Sequence, residues 1–332
     1  MTAKREETGM IGARLLAAGG RGVSPEELAA EWFCQRAEMR LPGLAALADA
    51  PDLLPRVRGA LGRRLMRSAS VEALAGGPCP WRPPCALEVF FGARPRVKMG
   101  RHMVELPAPL ALTADAADDG ALLIGMHIFG FACDWAQVMM EALAAALRRG
   151  VRWGEVMRGF TPPGRVEIES ARLRTLGAPM PEHVPEAATI ALLTGLDTQT
   201  ADVLERPESL FSRLAARISG LARWHDCALE ADWGRLAEVW RGLDYEVMEA
   251  EGEEMARRRS SRQRRGYVTA QRRLVLRVRG ELAPLLPFLA MGETAHAGRK
   301  AALGLGRIAW VGEGSENEAD DNDAYGQRDQ YS

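Results

Sequence analysis

Residues 121–150 read ALLIGMHIFGFACDWAQVMMEALAAALRRG, and they join the two clearest local signals in the chain. Ala121–Phe131 is apolar, rich in β-branched and aromatic residues and of strand length, so it reads as a buried strand. A helix follows at once. Asp134 stands as its cap with Gln137 closing the box, and Trp135, Val138, Met139, Ala142, Leu143, Ala146 and Leu147 recur at helical spacing until Gly150. Downstream, Arg165–Leu173 alternates Val166, Ile168 and Ser170 against Glu167 and Glu169, which is a strand pattern. Upstream, Arg56–Arg67 forms a helix with Val57, Leu61, Leu65 and Met66 inward and arginines outward. Before it, Phe33, Ala37, Met39 and Leu41 among polar residues favour a strand closed by Pro42-Gly43. Residues 76–113 are turn-rich, with two short apolar runs, Ala86–Phe91 and Met103–Leu106, suited to pairing. The order strand, helix, strands, helix, strand is the split β-α-β pattern of a ferredoxin-like domain.

The same order returns further on. Gly177–Glu186 (GAPMPEHVPE), with three prolines and a glycine, is the linker. Ala188–Leu193 is then a strand, and Pro207–Trp224 a helix with Leu210, Leu214, Ile218 and Leu221 on one face. A poorly patterned, acidic region runs to Glu254. Arg272–Arg279 is a strand with Leu274, Leu276 and Val278 inward, Leu282–Met291 a helix that tolerates Pro284 and Pro287 in its first turn, and Ile308–Val311 a last strand. The expected fold is therefore α+β, two tandem ferredoxin-like domains with antiparallel sheets. The expected organisation is a helical appendage over 1–30, opened by the helix start Ser24-Pro25-Glu26-Glu27, then domains over 31–177 and 187–314 and a disordered acidic tail over 315–332.

Composition narrows the function. The 332 residues are 47% hydrophobic, enough for two cores, and the net charge of −1 conceals an asymmetry. From Glu313 to Ser332 there are seven acids and one base, so the preceding residues carry +5. Five scattered cysteines suit neither a disulfide framework nor a zinc site: Cys79 and Cys85 have no further ligands at a familiar spacing. With no signal-peptide pattern and no membrane-length apolar run, the expectation is a cytoplasmic protein without metal or cofactor.

Two segments carry chemistry. Met255–Arg273 holds eight arginines, among them Arg257, Arg258, Arg259, Arg262, Arg264 and Arg265, with Ser260, Ser261, Gln263 and Tyr267 interleaved, a composition suited to bidentate phosphate contacts and base stacking on RNA. Ala295–Trp310 (AHAGRKAALGLGRIAW) sets Gly298, Gly304 and Gly306 among Arg299, Lys300 and Arg307; glycines let backbone amides face an anion, and the cations favour phosphate. The glycines follow a helix and precede a strand, the reverse of a dinucleotide fingerprint, and GxxxxGK[ST] is absent, which excludes the common nucleotide motifs. Of five histidines, His127 lies in a buried strand, His183 in the linker and His225 at a helix end. His296 adjoins the loop glycines and His102 lies in the basic stretch Lys98-Met99-Gly100-Arg101-His102; both are placed for proton transfer near neutrality.

The segment from His296 to Arg307 resembles the C-terminal glycine-rich loop of the CRISPR-associated pre-crRNA endoribonucleases of the RAMP superfamily. Arg259-Ser260-Ser261-Arg262-Gln263 is similar to a basic element upstream in one branch of that family, and Arg58-Gly59-Ala60-Leu61-Gly62 to its RGxxG first helix. Cys79 and Cys85 followed by Phe90-Phe91-Gly92 and Arg94-Pro95, and His127-Ile128-Phe129-Gly130, match further segments in the same order. The resemblance implies metal-independent cleavage of CRISPR repeat RNA by 2′-OH attack, leaving a 2′,3′-cyclic phosphate and a 5′-OH. It implies RNA contacts from Gly298, Arg299, Lys300, Gly304, Gly306, Arg307, Arg58, Arg258, Arg259, Ser260, Ser261, Arg262, Gln263 and Arg265. His296 is the first candidate acid or base and His102 the second. Partners would be the repeat RNA or crRNA and other CRISPR effector subunits; the rival reading is a subunit of the same superfamily that only binds the RNA.

Overall fold

The computed structural model describes residues 9–99, 102–149, 151, 166–196, 203–251, 256–258, 267–269 and 273–313. Its first half is a four-stranded antiparallel sheet in the spatial order Leu110–Ala116, Leu122–Phe129, Cys34–Leu41, Ser170–Leu176. The first strand shows why the sheet has two different faces. Ala37, Met39 and Leu41 are fully buried and oppose Met126, Ile124 and Leu122, while Arg36, Glu38 and Arg40 point to the other face. The apolar face is covered by helices Leu53–Leu65 and Ala136–Arg149, through Val57, Leu61 and Leu65 on one and Met139, Leu143 and Leu147 on the other.

The second half repeats the plan. Its sheet order is Asp244–Glu251, Arg273–Arg279, Ala187–Leu192, Ile308–Glu313, again antiparallel throughout. Helices Glu208–Ala222 and Leu286–Ala295 pack on it through Leu210, Leu214, Ile218, Phe288 and Leu289. Numbered by sequence within each half, both sheets run 4-1-3-2, the split β-α-β arrangement of a ferredoxin-like fold. The N-terminal helices Met10–Ala17 and Pro25–Glu31 lean on the second half. The capping box forms, with Ser24 N–H donating to Glu27 Oε2 at 2.7 Å. Gly22–Val23 pairs in parallel with Ala228–Leu229, and Trp32 Nε1 donates to Thr294 Oγ1 at 3.0 Å.

Several sequence expectations need correction. Ala86–Phe91 is a helix, so it does not pair as a strand; the hairpin there is Arg96–Met99 with His102–Glu105. The last strand of the first half is Ser170–Leu176 rather than 165–173. A 3₁₀ segment, Gly130–Trp135, precedes the helix expected to start at Asp134, and Val138 is exposed. The poorly patterned region contains helix Trp233–Gly242 and the edge strand Asp244–Glu251. The acidic tail lies outside the described residues.

Candidate nucleic-acid interface

The glycine loop begins where helix Leu286–Ala295 ends. His296 leaves the helix with φ of 62° while its N–H still donates to the Gly292 carbonyl at 2.9 Å. Gly298, Gly304 and Gly306 have φ of 80°, 80° and 72°, with a 3₁₀ turn over Ala301–Leu303 between the first two. At Gly306 no side chain fits: a Cβ would lie 2.0 Å from the Ala297 carbonyl oxygen. The backbone is tied down from both ends. Ala297 N–H donates to the Gly306 carbonyl at 2.6 Å, Gly306 N–H to Gly195 at 3.0 Å, and Arg307 N–H to Thr194 Oγ1 at 2.9 Å. Gly304 N–H donates to Ala301 at 2.8 Å. These amides are used within the protein, so the expected cradle of free amides is corrected. The glycines shape the loop. Arg299 is exposed and Lys300 half-buried.

The loop reaches across to the first half. Ala301 is fully buried, Gly304 is against Leu54 of helix Leu53–Leu65, and Arg307 forms an ion pair with Asp115 on strand Leu110–Ala116. On the polar face of the first sheet, Arg36 bonds Glu38 at 2.5 Å and lies 3.9 Å from Asp115, while Arg174 lies 3.9 Å from Glu38. His127 is opposite Arg36 in the sheet and meets His296 edge to face, ring centroids 6.2 Å apart. Burial, then the charges of Arg36, Arg307 and Arg174, push the His127 pKa down to about 3. Burial, His127, Arg307 and Arg217 hold His296 well below the ordinary histidine value. Both rings are neutral at pH 7, and His296 has no exposed surface.

Beneath them Arg217, from helix Glu208–Ala222, joins the halves. Its Nε donates to the Ala295 carbonyl at 3.1 Å, Nη1 to Ala108 at 3.3 Å and Nη2 to Leu110 at 3.1 Å. Sequence reasoning missed Arg217, Arg36, Thr113 and Asp115. The available signal was an arginine within the apolar stripe Leu210, Leu214, Ile218, Leu221.

The other expected residues are spread around this seam. Arg58 lies on helix Leu53–Leu65, its guanidinium over the Phe91 ring at 4.7 Å. His102 opposes Met99 in its hairpin. Arg258 opposes Tyr267 in the short pair Ala256–Arg258 and Tyr267–Thr269. Arg259, Ser260, Ser261, Arg262, Gln263 and Arg265 lie outside the described residues. The fold thus brings Gly298 through Arg307 against the helix that carries Arg58. Cys79 and Cys85 are buried, Cys79 Sγ accepting from Cys85 N–H at 3.3 Å, and no group of three potential metal ligands occurs among the described residues. No helix among them is long and apolar enough to cross a membrane.

A scan against protein-family models and a search of curated protein sequences both return no match. Among solved structures the chain is similar to a Cas6 product complex, 15% identical over 84% of this chain and 99% of that one, with a TM-score of 0.47. A Cas6 of Thermus thermophilus is 14% identical over the same shares, with a TM-score of 0.47. A RAMP protein described as binding different RNA substrates is 12% identical over 83% of this chain and 99% of that one, with a TM-score of 0.37.

Proposed function

We propose that this chain is a CRISPR repeat RNA endoribonuclease whose glycine loop holds the RNA backbone. The observation that carries the reading is the loop itself. It is fixed by its own amides, seated across both ferredoxin-like halves, and it carries the exposed Arg299 and the half-buried Lys300 beside the helix that bears Arg58. Guanidinium and ammonium groups on a rigid loop attract phosphate at little ordering cost. The arginine-rich segment 255–273 would extend the contact along the strand, with the halves 31–177 and 187–314 acting as the two platforms. The RNA would be met in the cytoplasm, alone or with other effector subunits.

The proposed reaction needs no metal. A base takes the proton of the 2′-OH, the oxygen attacks the adjacent phosphorus, and an acid protonates the departing 5′-oxygen, leaving a 2′,3′-cyclic phosphate. Arg299 and Lys300 would stabilise the charge that develops on the phosphorane. Burial weighs against His296 as the group that meets RNA directly, so His102 is the first to test; His102→Ala retaining the full single-turnover rate removes it. The RNA-binding half of the proposal is tested by fluorescence anisotropy of a repeat RNA across a salt series. Removing one phosphate-binding cation lowers the salt slope by about 0.7–0.9, so Arg299→Gln with Lys300→Gln should flatten it by roughly twice that. An unchanged slope would count against the loop.

A further inference from the structure

Cys79 and Cys85 close a proline-rich turn, Cys79-Pro80-Trp81-Arg82-Pro83-Pro84-Cys85, between the short helices Val71–Leu74 and Ala86–Phe91. The turn folds back on itself. Cys85 N–H donates to Cys79 Sγ at 3.3 Å, and the two thiols are in contact. It is anchored from outside: Cys79 N–H donates to Glu88 Oε2 at 2.6 Å, and Trp135 Nε1 to the Pro84 carbonyl at 2.8 Å. Each cysteine is 6% exposed, while Pro78, Pro80, Trp81, Arg82 and Pro83 around them are exposed. One layer of loop separates the sulfurs from water.

The two sulfurs are not equivalent. Burial pushes the Cys79 thiol up, but the Ser70 hydroxyl, the N–H groups of Cys85 and Trp81 and the Cys85 thiol all favour its thiolate, and the balance lies below the ordinary thiol value. At Cys85 burial wins over the N–H groups of Glu88 and Ser70, and Cys79 raises it further, so this thiol keeps its proton. Burial first pushes Cys34 and Cys133 up to about 12, and it raises Cys227 too. Of the five cysteines, Cys79 is the one biased toward thiolate.

We infer that Cys79 and Cys85 are a reactive thiol pair that a peroxide closes into a disulfide, with Cys79 the sulfur oxidised first and Cys85 the resolving thiol. A zinc site would need further ligands, and no group of three potential ligands occurs among the described residues. A disulfide needs two residues whose backbones are within bridging reach, and the amide of one already rests on the sulfur of the other. The Cys79 thiolate, its proton given to solvent, attacks a peroxide oxygen: an S–O bond forms, the O–O bond breaks, and the departing hydroxide takes up a proton as water. Cys85 then attacks the sulfenic sulfur: the S–S bond forms, the S–O bond breaks, and hydroxide leaves with the Cys85 proton as a second water. Two electrons pass from the two sulfurs to the peroxide. In a reducing compartment the bond is transient, and a dithiol reverses it. The inference goes beyond the nuclease reading and does not depend on it.

The test treats the reduced, desalted full chain with a few equivalents of hydrogen peroxide, alkylates the remaining thiols under denaturing conditions and maps the peptides by mass spectrometry. The expected result is that Cys79 and Cys85 escape alkylation in a species two hydrogens lighter, restored by dithiothreitol, with Cys34, Cys133 and Cys227 alkylated. Cys85→Ser should leave Cys79 as a sulfenic acid that dimedone traps. Cys79→Ser should slow oxidation of Cys85 about tenfold or more, because the remaining thiol is protonated. Both cysteines alkylated after peroxide would overturn the pair, as would a bond from either one to another cysteine, or Cys79 driven to sulfinic acid with Cys85 left free. Cys85 oxidised at the wild-type rate in Cys79→Ser would overturn the assigned roles. Where a variant fails to fold, the wild-type peptide map decides alone.

Discussion

Replacing Arg217 with methionine should loosen the junction on which the candidate interface is built. Ala108 and Leu110 belong to the first half, Ala295 to the second, and all three carbonyls accept from this one guanidinium at 3.1–3.3 Å. Burial pushes its pKa down to about 9, so it is still charged at pH 7. Methionine fills similar volume but donates nothing. Each acceptor left buried and unpaired costs about 1–3 kcal/mol, against which the variant recovers part of the several kcal/mol spent desolvating the cation. The balance is a loss of about 2–4 kcal/mol. With an unfolding entropy near 2 cal/mol/K per residue over a chain of this length, that lowers Tm by roughly 3–6 °C. Calorimetry gives the shift, and native-state hydrogen exchange locates it: protection should fall at Ala297 and Gly306, whose bonds close the loop behind Ala295. A Tm within about 1 °C of wild type together with unchanged exchange there would refute the clamp.

Three further outcomes are expected. Stability should fall as pH drops below about 6.5, because His127, His225 and His296 stay neutral in the fold, their pKa values pushed down to about 3, about 4 and well below the ordinary value, while the unfolded chain takes up the protons. Each such group contributes up to about 1.4 kcal/mol per pH unit between its unfolded and folded pKa; urea midpoints in phosphate-free buffer should show it, and a flat profile from about pH 7 to 5.5 would contradict the burial. Gly306→Ala should distort the loop, since its φ of 72° is strained for alanine and the added Cβ meets the Ala297 oxygen. Loss of repeat RNA binding with intact secondary structure by circular dichroism is the expected reading, and wild-type affinity would sink it. Trp32→Phe should cost about 1 kcal/mol by removing the indole bond to Thr294, seen as a lower urea midpoint with an unchanged slope.

The parts of the fold visible in the sequence are those where one face of an element is buried and the other is not. Cys34–Leu41 and helix Glu208–Ala222 alternate cleanly, and the double β-α-β order can be read from them. Asp244–Glu251 cannot, because an edge strand with Glu246, Val247, Met248 and Glu249 all exposed has no apolar face to show. Ala86–Phe91 misleads because a short apolar run fits a strand or a helix turn equally well. At the candidate site, the loop is legible as a glycine and lysine–arginine pattern, but its hydrogen bonding is not. The amides are spent on Gly195, Thr194 and Gly306, and the first two belong to a loop more than a hundred residues away. The seam is invisible for the same reason. Arg36, Thr113, His127, Arg217 and His296 are ordinary residues locally and meet only when two sheets and a loop bring them together.

The proposed reaction is metal-independent cleavage of CRISPR repeat RNA by this chain. The direct measurement is incubation of the full chain with a cognate repeat RNA in excess EDTA, with the product ends read by mass spectrometry. The account predicts a single cut leaving a 2′,3′-cyclic phosphate and a 5′-OH, lost in Gly306→Ala. Intact RNA that is tightly bound would contradict cleavage and point to a subunit that only holds it; cleavage that EDTA abolishes would contradict the mechanism.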